Sequence, residues 1–223
     1  MDMKLLTIII FGVLSLFLCC LSAFFTKTEK VKTFIAIKGL ASFSYILLAL
    51  IACNLVFKIQ AYTLFIIVGM TLFMFSTTIR AIPTRSDMFH TFYTFVEGLG
   101  FGFLITSVFF LIEFPLYGLA GAAGAFLILM IIYLVVRKKD QGKDKLANLF
   151  LQLTSLVLLG ISANFAVITL TLQSILMAAG ALLAFVYVII QTFTIFTNKK
   201  CGMAKNLFIG LALILLGLSI YFL

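Results

Sequence analysis

Apolar residues in this chain come in runs of about 20, the length at which a helix crosses the ~30 Å hydrocarbon core of a bilayer. Short charged clusters separate the runs. In lipid a backbone must satisfy its own hydrogen bonds, so a spanning segment is either a helix or a strand of a closed barrel. The alternating pattern of barrel strands is missing, which leaves helices. Composition agrees with this, at 64% hydrophobic and 10% charged residues with a mean hydropathy of +1.29. A soluble domain carries about 25% charged residues, and this chain has too little polar surface to clothe one.

Eight spans are predicted: Leu5–Phe25, Phe34–Phe57, Tyr62–Ile79, Phe92–Ile112, Leu116–Val136, Leu146–Ile168, Ser174–Phe196 and Asn206–Leu223. The expected fold class is an all-α membrane protein of eight transmembrane helices. The links leave no room for a soluble domain, so residues 1–223 form a single transmembrane domain. A shift of about 110 residues lays spans one to four over spans five to eight and preserves direction, the pattern of a parallel repeat as in some transporters. The pseudo-repeats would be 1–113 and 114–223. Identity between the halves is weak, and short loops alone produce the same match.

The net charge of +9 invites a nucleic-acid reading, but the basic residues sit in the loops after spans one, three, five and seven. They run from Lys27 to Lys32, at Arg80 and Arg85, from Arg137 to Lys145, and from Lys199 to Lys205, while the other side holds Lys4 and Lys58. Lys and Arg in short loops stay cytoplasmic. The expected location is the cell membrane, multi-pass, with both termini on the non-cytoplasmic side. The basic loops face anionic headgroups, which attract each Lys or Arg by ~1 kcal/mol near the surface, and no nucleic acid is expected. The first apolar run is too long for the usual h-region of about 7–15 residues, so it reads as an uncleaved signal anchor.

No cofactor or metal is expected. Cys19, Cys20 and Cys53 fall in spans and Cys201 in a loop, with neither zinc nor disulfide spacing. His90 stands alone beside Asp87 and makes no metal set. Gly98 and Gly102, and the run GLAGAAGA at 118–125, are small-residue faces for close helix packing rather than phosphate cradles. Pro83 and Pro115 lie in or beside loops.

Polar residues inside the spans carry the functional information, because each is costly unless it faces protein or water. Counted from the cytoplasmic end at ~1.5 Å per residue, Lys38 lies about 8 Å deep, Glu97 about 9 Å, Gln152 about 10 Å and Gln191 about 12 Å. They come from spans two, four, six and seven, yet fall in one layer, with Tyr45 and Tyr187 deeper as a floor. A polar chamber open to the cytoplasm is one reading, with Lys38 and Glu97 pairing to make both charges tolerable. The other is that Lys38 snorkels to headgroups while Glu97 reaches the interface or Arg85.

Four local patterns join the eight spans to give a resemblance. Ile37-Lys38-Gly39-Leu40 opens the second span, the run LFIIVGMTLFM with Gly69 and Met70 fills the third, Phe95 and Gly98-Leu99 mark the fourth, and ALLAFVYVIIQTF leads to Val188-Ile189 in the seventh. The chain resembles the YhhN family, the lysoplasmalogenase-like membrane proteins. That family has Lys-Pro where Lys38-Gly39 stands, Gly-Asp where Gly69-Met70 stands, Gly-His where Gly98-Leu99 stands, and Ser-Asp at Val188-Ile189.

The resemblance implies hydrolysis of the vinyl ether bond of a lysoplasmalogen to a fatty aldehyde and a glycerophospho-amine. The partner would be membrane lipid, a single-chain phospholipid. Such chemistry begins with protonation of the vinyl β-carbon, for which a buried carboxylic acid is a natural donor. Both acids of the family are replaced here, so Glu97 becomes the candidate proton donor, with Lys38, Gln152, Gln191, Tyr45 and Tyr187 as candidate substrate-binding residues. A small transporter or lipid-binding carrier, and a non-catalytic structural membrane protein, are the rival readings.

Overall fold

The structure, a computed structural model, describes residues 3–26, 31–56, 61–82, 87–111, 145–197 and 201–223, with 120, 123, 124 and 127 as isolated positions. These residues form seven helices: α1 (Met3–Phe25), α2 (Val31–Val56), α3 (Ala61–Arg80), α4 (Asp87–Phe109), α5 (Lys145–Thr169), α6 (Leu172–Thr197) and α7 (Gly202–Ser219). All seven are long and apolar enough to cross a membrane. The expected fifth span, Leu116–Val136, and the 118–125 run lie outside the described residues apart from those isolated positions. So do Pro83, Pro115, the side chains of Asp87 and His90, and most of the loop charges. Several boundaries differ from expectation: α2 begins at Val31 and α4 at Asp87, α3 runs on through Arg80, and α7 begins at Gly202, which makes Lys205 helical as well.

Burial is inverted relative to a soluble protein. Large apolar side chains such as Ile10, Val13, Phe17 and Phe24 of α1 face outward. Inside, Tyr62, Ile66, Phe73 and Phe101 pack together with Lys38, Glu97, Gln191 and several Ser and Thr. Lipid makes this arrangement favourable, since an outward apolar side chain costs nothing there while a polar one must find protein or water. The interior hydroxyls mostly donate to carbonyls of their own helix, as Thr77 Oγ1 does to Phe73 O at 2.7 Å. Some bridge helices: Ser76 Oγ donates to Tyr93 O at 2.8 Å, and the Tyr62 and Ser219 hydroxyls meet at 2.7 Å.

Each helix packs on the next from α1 to α7, and α7 closes the ring onto α1 while also touching α2 and α3. Small residues set the closest crossings, because glycine lets two backbones approach without a Cβ between them. A Cβ on Gly69 would lie 3.0 Å from Gly100 O and 3.0 Å from Leu104 Cγ, where α3 crosses α4. A Cβ on Gly180 would lie 3.1 Å from Ala212 O and 2.9 Å from Leu216 Cγ, where α6 crosses α7. Of the Gly98–Gly102 pair only the first is a contact: Gly98 lies under the Phe150 ring of α5, whereas Gly102 faces open space.

The α5–α6 link is the tightest turn described. Leu170 takes a left-handed φ of 48°, and its N–H closes on Ala166 O at 3.0 Å. Thr171 then caps α6, its Oγ1 accepting from Ser174 N at 3.3 Å while Ser174 Oγ accepts from Thr171 N at 3.1 Å. This is a reciprocal cap of the Thr-x-x-polar kind.

Candidate functional site

Side chains on a helix lean toward its N-terminus. Arg80, in the last turn of α3, is therefore turned back along its helix into the bundle. Glu97 on the antiparallel neighbour α4 leans the opposite way, and the two meet. Arg80 Nη2 lies 2.9 Å from Glu97 Oε2, with the carboxylate side chain 0% exposed and the guanidinium side chain 16%. Helix α6 completes the enclosure. The Tyr187 hydroxyl donates to Glu97 Oε1 at 3.0 Å and accepts from Arg80 Nη1 at 2.8 Å. One turn on, Gln191 accepts from Arg80 Nη1 through Oε1, and its Nε2 sits 3.5 Å from Glu97 Oε2. The guanidinium lies 4.6 Å from the centre of the Tyr93 ring, a cation–π contact. A buried charge is tolerable only when paired and hydrogen-bonded, and both oxygens of Glu97 have partners.

In front of this lattice lies a cavity of about 820 Å³. Arg80 and Tyr187 form part of its wall, joined by Lys38 and Phe34 of α2, Thr77 of α3, and Lys205, Asn206 and Ile209 of α7. These residues belong to the ends of α3 and α6 and the beginnings of α2 and α7, so the cavity opens at one end of the bundle. Lys38 is 9% exposed, and its ammonium sits 5.7 Å from the Phe34 ring centre. A smaller hollow of about 10 Å³, near the minimum for one water molecule, shares Lys38, Thr77 and Asn206 with the main cavity and adds Ser22, Ser42 and Tyr45.

The six residues singled out in the sequence therefore separate into groups. Lys38 and Tyr187 line the cavity, and Tyr45 lines the small hollow. Glu97 and Gln191 stand behind the wall, bonded to Arg80. Gln152 is not part of the lining; its Nε2 donates to Thr192 Oγ1 at 2.9 Å, joining α5 to α6. The expected Lys38–Glu97 ion pair is replaced by Arg80–Glu97. The physical reason is that α3 and α4 are direct neighbours whose side chains lean toward each other, whereas α2 and α4 do not pack together. Met70 is in the core at 1% exposure, and Ile189 faces outward at 48%.

The sequence reading puts Arg80 and Lys205 with the loops, and both line the cavity. The signal that marks Arg80 is its register: Phe73, Thr77 and Arg80 recur at helical spacing on the buried face of α3. Among the described residues no group of three His, Cys, Asp or Glu could hold a metal ion. What the arrangement can do chemically is hold an anion against fixed cations, and pass a proton between Tyr187 and the Glu97 carboxylate behind it. No protein-family model matches the chain, and comparison with curated proteins and with solved structures gave no match.

Proposed function

We propose that this chain is a lipid-handling membrane protein that takes the polar end of a single-chain amphiphile into the cavity at one end of its bundle. The observation that carries this reading is the cavity itself: about 820 Å³, with Lys38, Arg80, Lys205 and Tyr187 beside Phe34 and Ile209. Ligand sites typically enclose about 300–1,000 Å³ and combine an apolar lining with a few convergent polar groups. A single-chain phospholipid has that mixed character, and it reaches the cavity from the adjoining leaflet. The basic loops support a cytoplasmic position for this end in the cell membrane, with both termini opposite.

The eight-span count belongs to the same proposal. Gln152 in the first half of α5 bonds to Thr192 near the end of α6, and Glu97 at the middle of α4 bonds to Tyr187 and Gln191 on that same stretch. These contacts favour a shared direction for α4 and α5, which an eighth span crossing the membrane between them would explain. Leu116–Val136 is the apolar run long enough to make that crossing. The repeat reading also gains support, since the interval of about 110 residues carries the Gly69–Gly100–Leu104 crossing onto Gly180–Ala212–Leu216, a parallel arrangement.

A purified sample titrated with a fluorescent lysophospholipid tests the reading. Saturable binding that Ala204→Trp abolishes is expected, because Ala204 lines the cavity and an indole would fill it. Binding that is unsaturable, or indifferent to that substitution, would overturn it.

Vinyl ether hydrolysis of the YhhN kind is the second reading, and one observation favours it: the Tyr187 hydroxyl stands in the cavity wall and donates to Glu97. Protonation of the β-carbon by the Tyr187 hydroxyl leaves a phenolate beside Arg80 and an oxocarbenium ion; water adds to that ion and gives its proton to the phenolate, and the hemiacetal so formed breaks down to aldehyde and the glycerol alcohol. Glu97 acts through Tyr187, since it has no surface of its own on the cavity. Aldehyde release from lysoplasmalogen that is lost in both Tyr187→Phe and Glu97→Gln supports this; no release from the unaltered protein overturns it.

A further inference from the structure

The charges around the cavity specify its ligand more narrowly than its size does. Lys38, Arg80 and Lys205 are in its wall, and no carboxylate is among its described lining residues. Lys38 lies within electrostatic range of Arg80, Glu97 and Lys205. Glu97, the one described carboxylate nearby, is fully buried and committed to Arg80, Tyr187 and Gln191. Three basic side chains thus stand in the wall while the one described carboxylate is held behind it. Among the described residues neither Lys38 nor Lys205 forms a salt bridge. Lys38 is also more than nine-tenths buried. A second unused donor is Arg80 Nε, buried with no hydrogen-bond partner among the described residues.

Resting on the lipid-handling reading above, we infer that the cavity selects a single-chain amphiphile whose headgroup is an oxyanion without an ammonium: a phosphate monoester or a phosphodiester carrying an uncharged alcohol. The positive charge of the wall attracts the oxyanion, and apolar neighbours limit its screening. Charge-assisted hydrogen bonds from ammonium and guanidinium groups are the stronger class and suit phosphate oxygens. An ethanolamine or choline headgroup brings its own cation against a wall that already carries three basic side chains. Selectivity here is as much rejection of that cation as attraction of the phosphate. This headgroup differs from the glycerophospho-amine that the family resemblance implies.

Four probes separate the possibilities: lysophosphatidic acid, lysophosphatidylethanolamine, a monoacylglycerol of the same chain, and inorganic phosphate. Binding to the purified protein in non-ionic detergent is measured for each. Lysophosphatidic acid should bind at least about tenfold tighter than the ethanolamine lipid, a difference of about 1.4 kcal/mol, and the monoacylglycerol should be weaker still. Lys38→Gln and, separately, Lys205→Gln should each narrow the gap. A melting temperature and a monodisperse elution profile like those of the unaltered protein show that the variants are folded.

Equal binding of all three lipids would overturn the headgroup inference and leave the lipid-handling reading standing. The same inference falls if the ethanolamine lipid is preferred, or if neither lysine substitution narrows the gap. Inorganic phosphate bound through Lys38 with no lipid binding would keep the oxyanion site and sink the lipid reading, while no binding of any probe would sink both.

Discussion

Glu97 receives its counter-charge from Arg80, 2.9 Å away on the neighbouring helix, while Lys38 stays out of that pair and lines the cavity. The division separates a structural ion pair from a cation available to a ligand. Removing one partner of a buried pair strands the other charge and costs about 3–5 kcal/mol. Glu97→Ala and Arg80→Ala are each expected to destabilise the protein by that order, measured by reversible unfolding in detergent. The double variant should lose much less than the sum of the two. Additive losses would show that the pair is not coupled.

Tyr187→Phe removes a hydroxyl that donates to Glu97 and accepts from Arg80. A net loss of about 1–3 kcal/mol is expected, since a buried polar partner is left less satisfied. The same unfolding measurement checks it, and no change would mean the hydroxyl is not engaged.

The glycine crossings predict opposite outcomes for chemically identical changes. A Cβ on Gly210 would meet the Cys19 thiol and lie 2.6 Å from the Tyr45 hydroxyl, so Gly210→Ala should cost about 1–3 kcal/mol by overpacking. Gly102 faces open space, and Gly102→Ala should be neutral or stabilise by up to about 1 kcal/mol through helix propensity. A shift in melting temperature of the same sign and size for both would contradict the packing described.

Thr171 caps α6 through a reciprocal pair of hydrogen bonds with Ser174. Thr171→Ala should destabilise by about 1 kcal/mol, and hydrogen exchange of the first α6 turn should rise. Unchanged exchange there would remove the cap from the account.

The spans were legible because the membrane demands an uninterrupted apolar run, and α1 to α4 fall where those runs predict them. Lys38, Glu97, Gln191 and Tyr187 were legible too, because polar groups stand out inside such runs. Arg80 was not. A basic residue after an apolar run reads as a loop anchor, and only the lean of a helical side chain toward the N-terminus shows that it turns inward. The sequence left Glu97 between Lys38 and the interface or Arg85, and missed Arg80, for the same reason: depth along each span was readable, but which helices pack together was not. Gly98 and Gly102 look equivalent in sequence, and only the placement of α5 with Phe150 distinguishes them.

The most direct test of the central claim, a positively charged cavity entering the bundle from one end, is thiol reactivity at Thr77, which lines both the cavity and the hollow beside it. The background replaces Cys19, Cys20, Cys53 and Cys201 by alanine, and Thr77→Cys is added. Modification by an anionic methanethiosulfonate should outpace that by a cationic one by about tenfold after normalising to a free thiol, as focused positive potential requires, and Lys38→Gln should shrink the ratio. An unreactive cysteine, or one that favours the cationic reagent, would contradict the account.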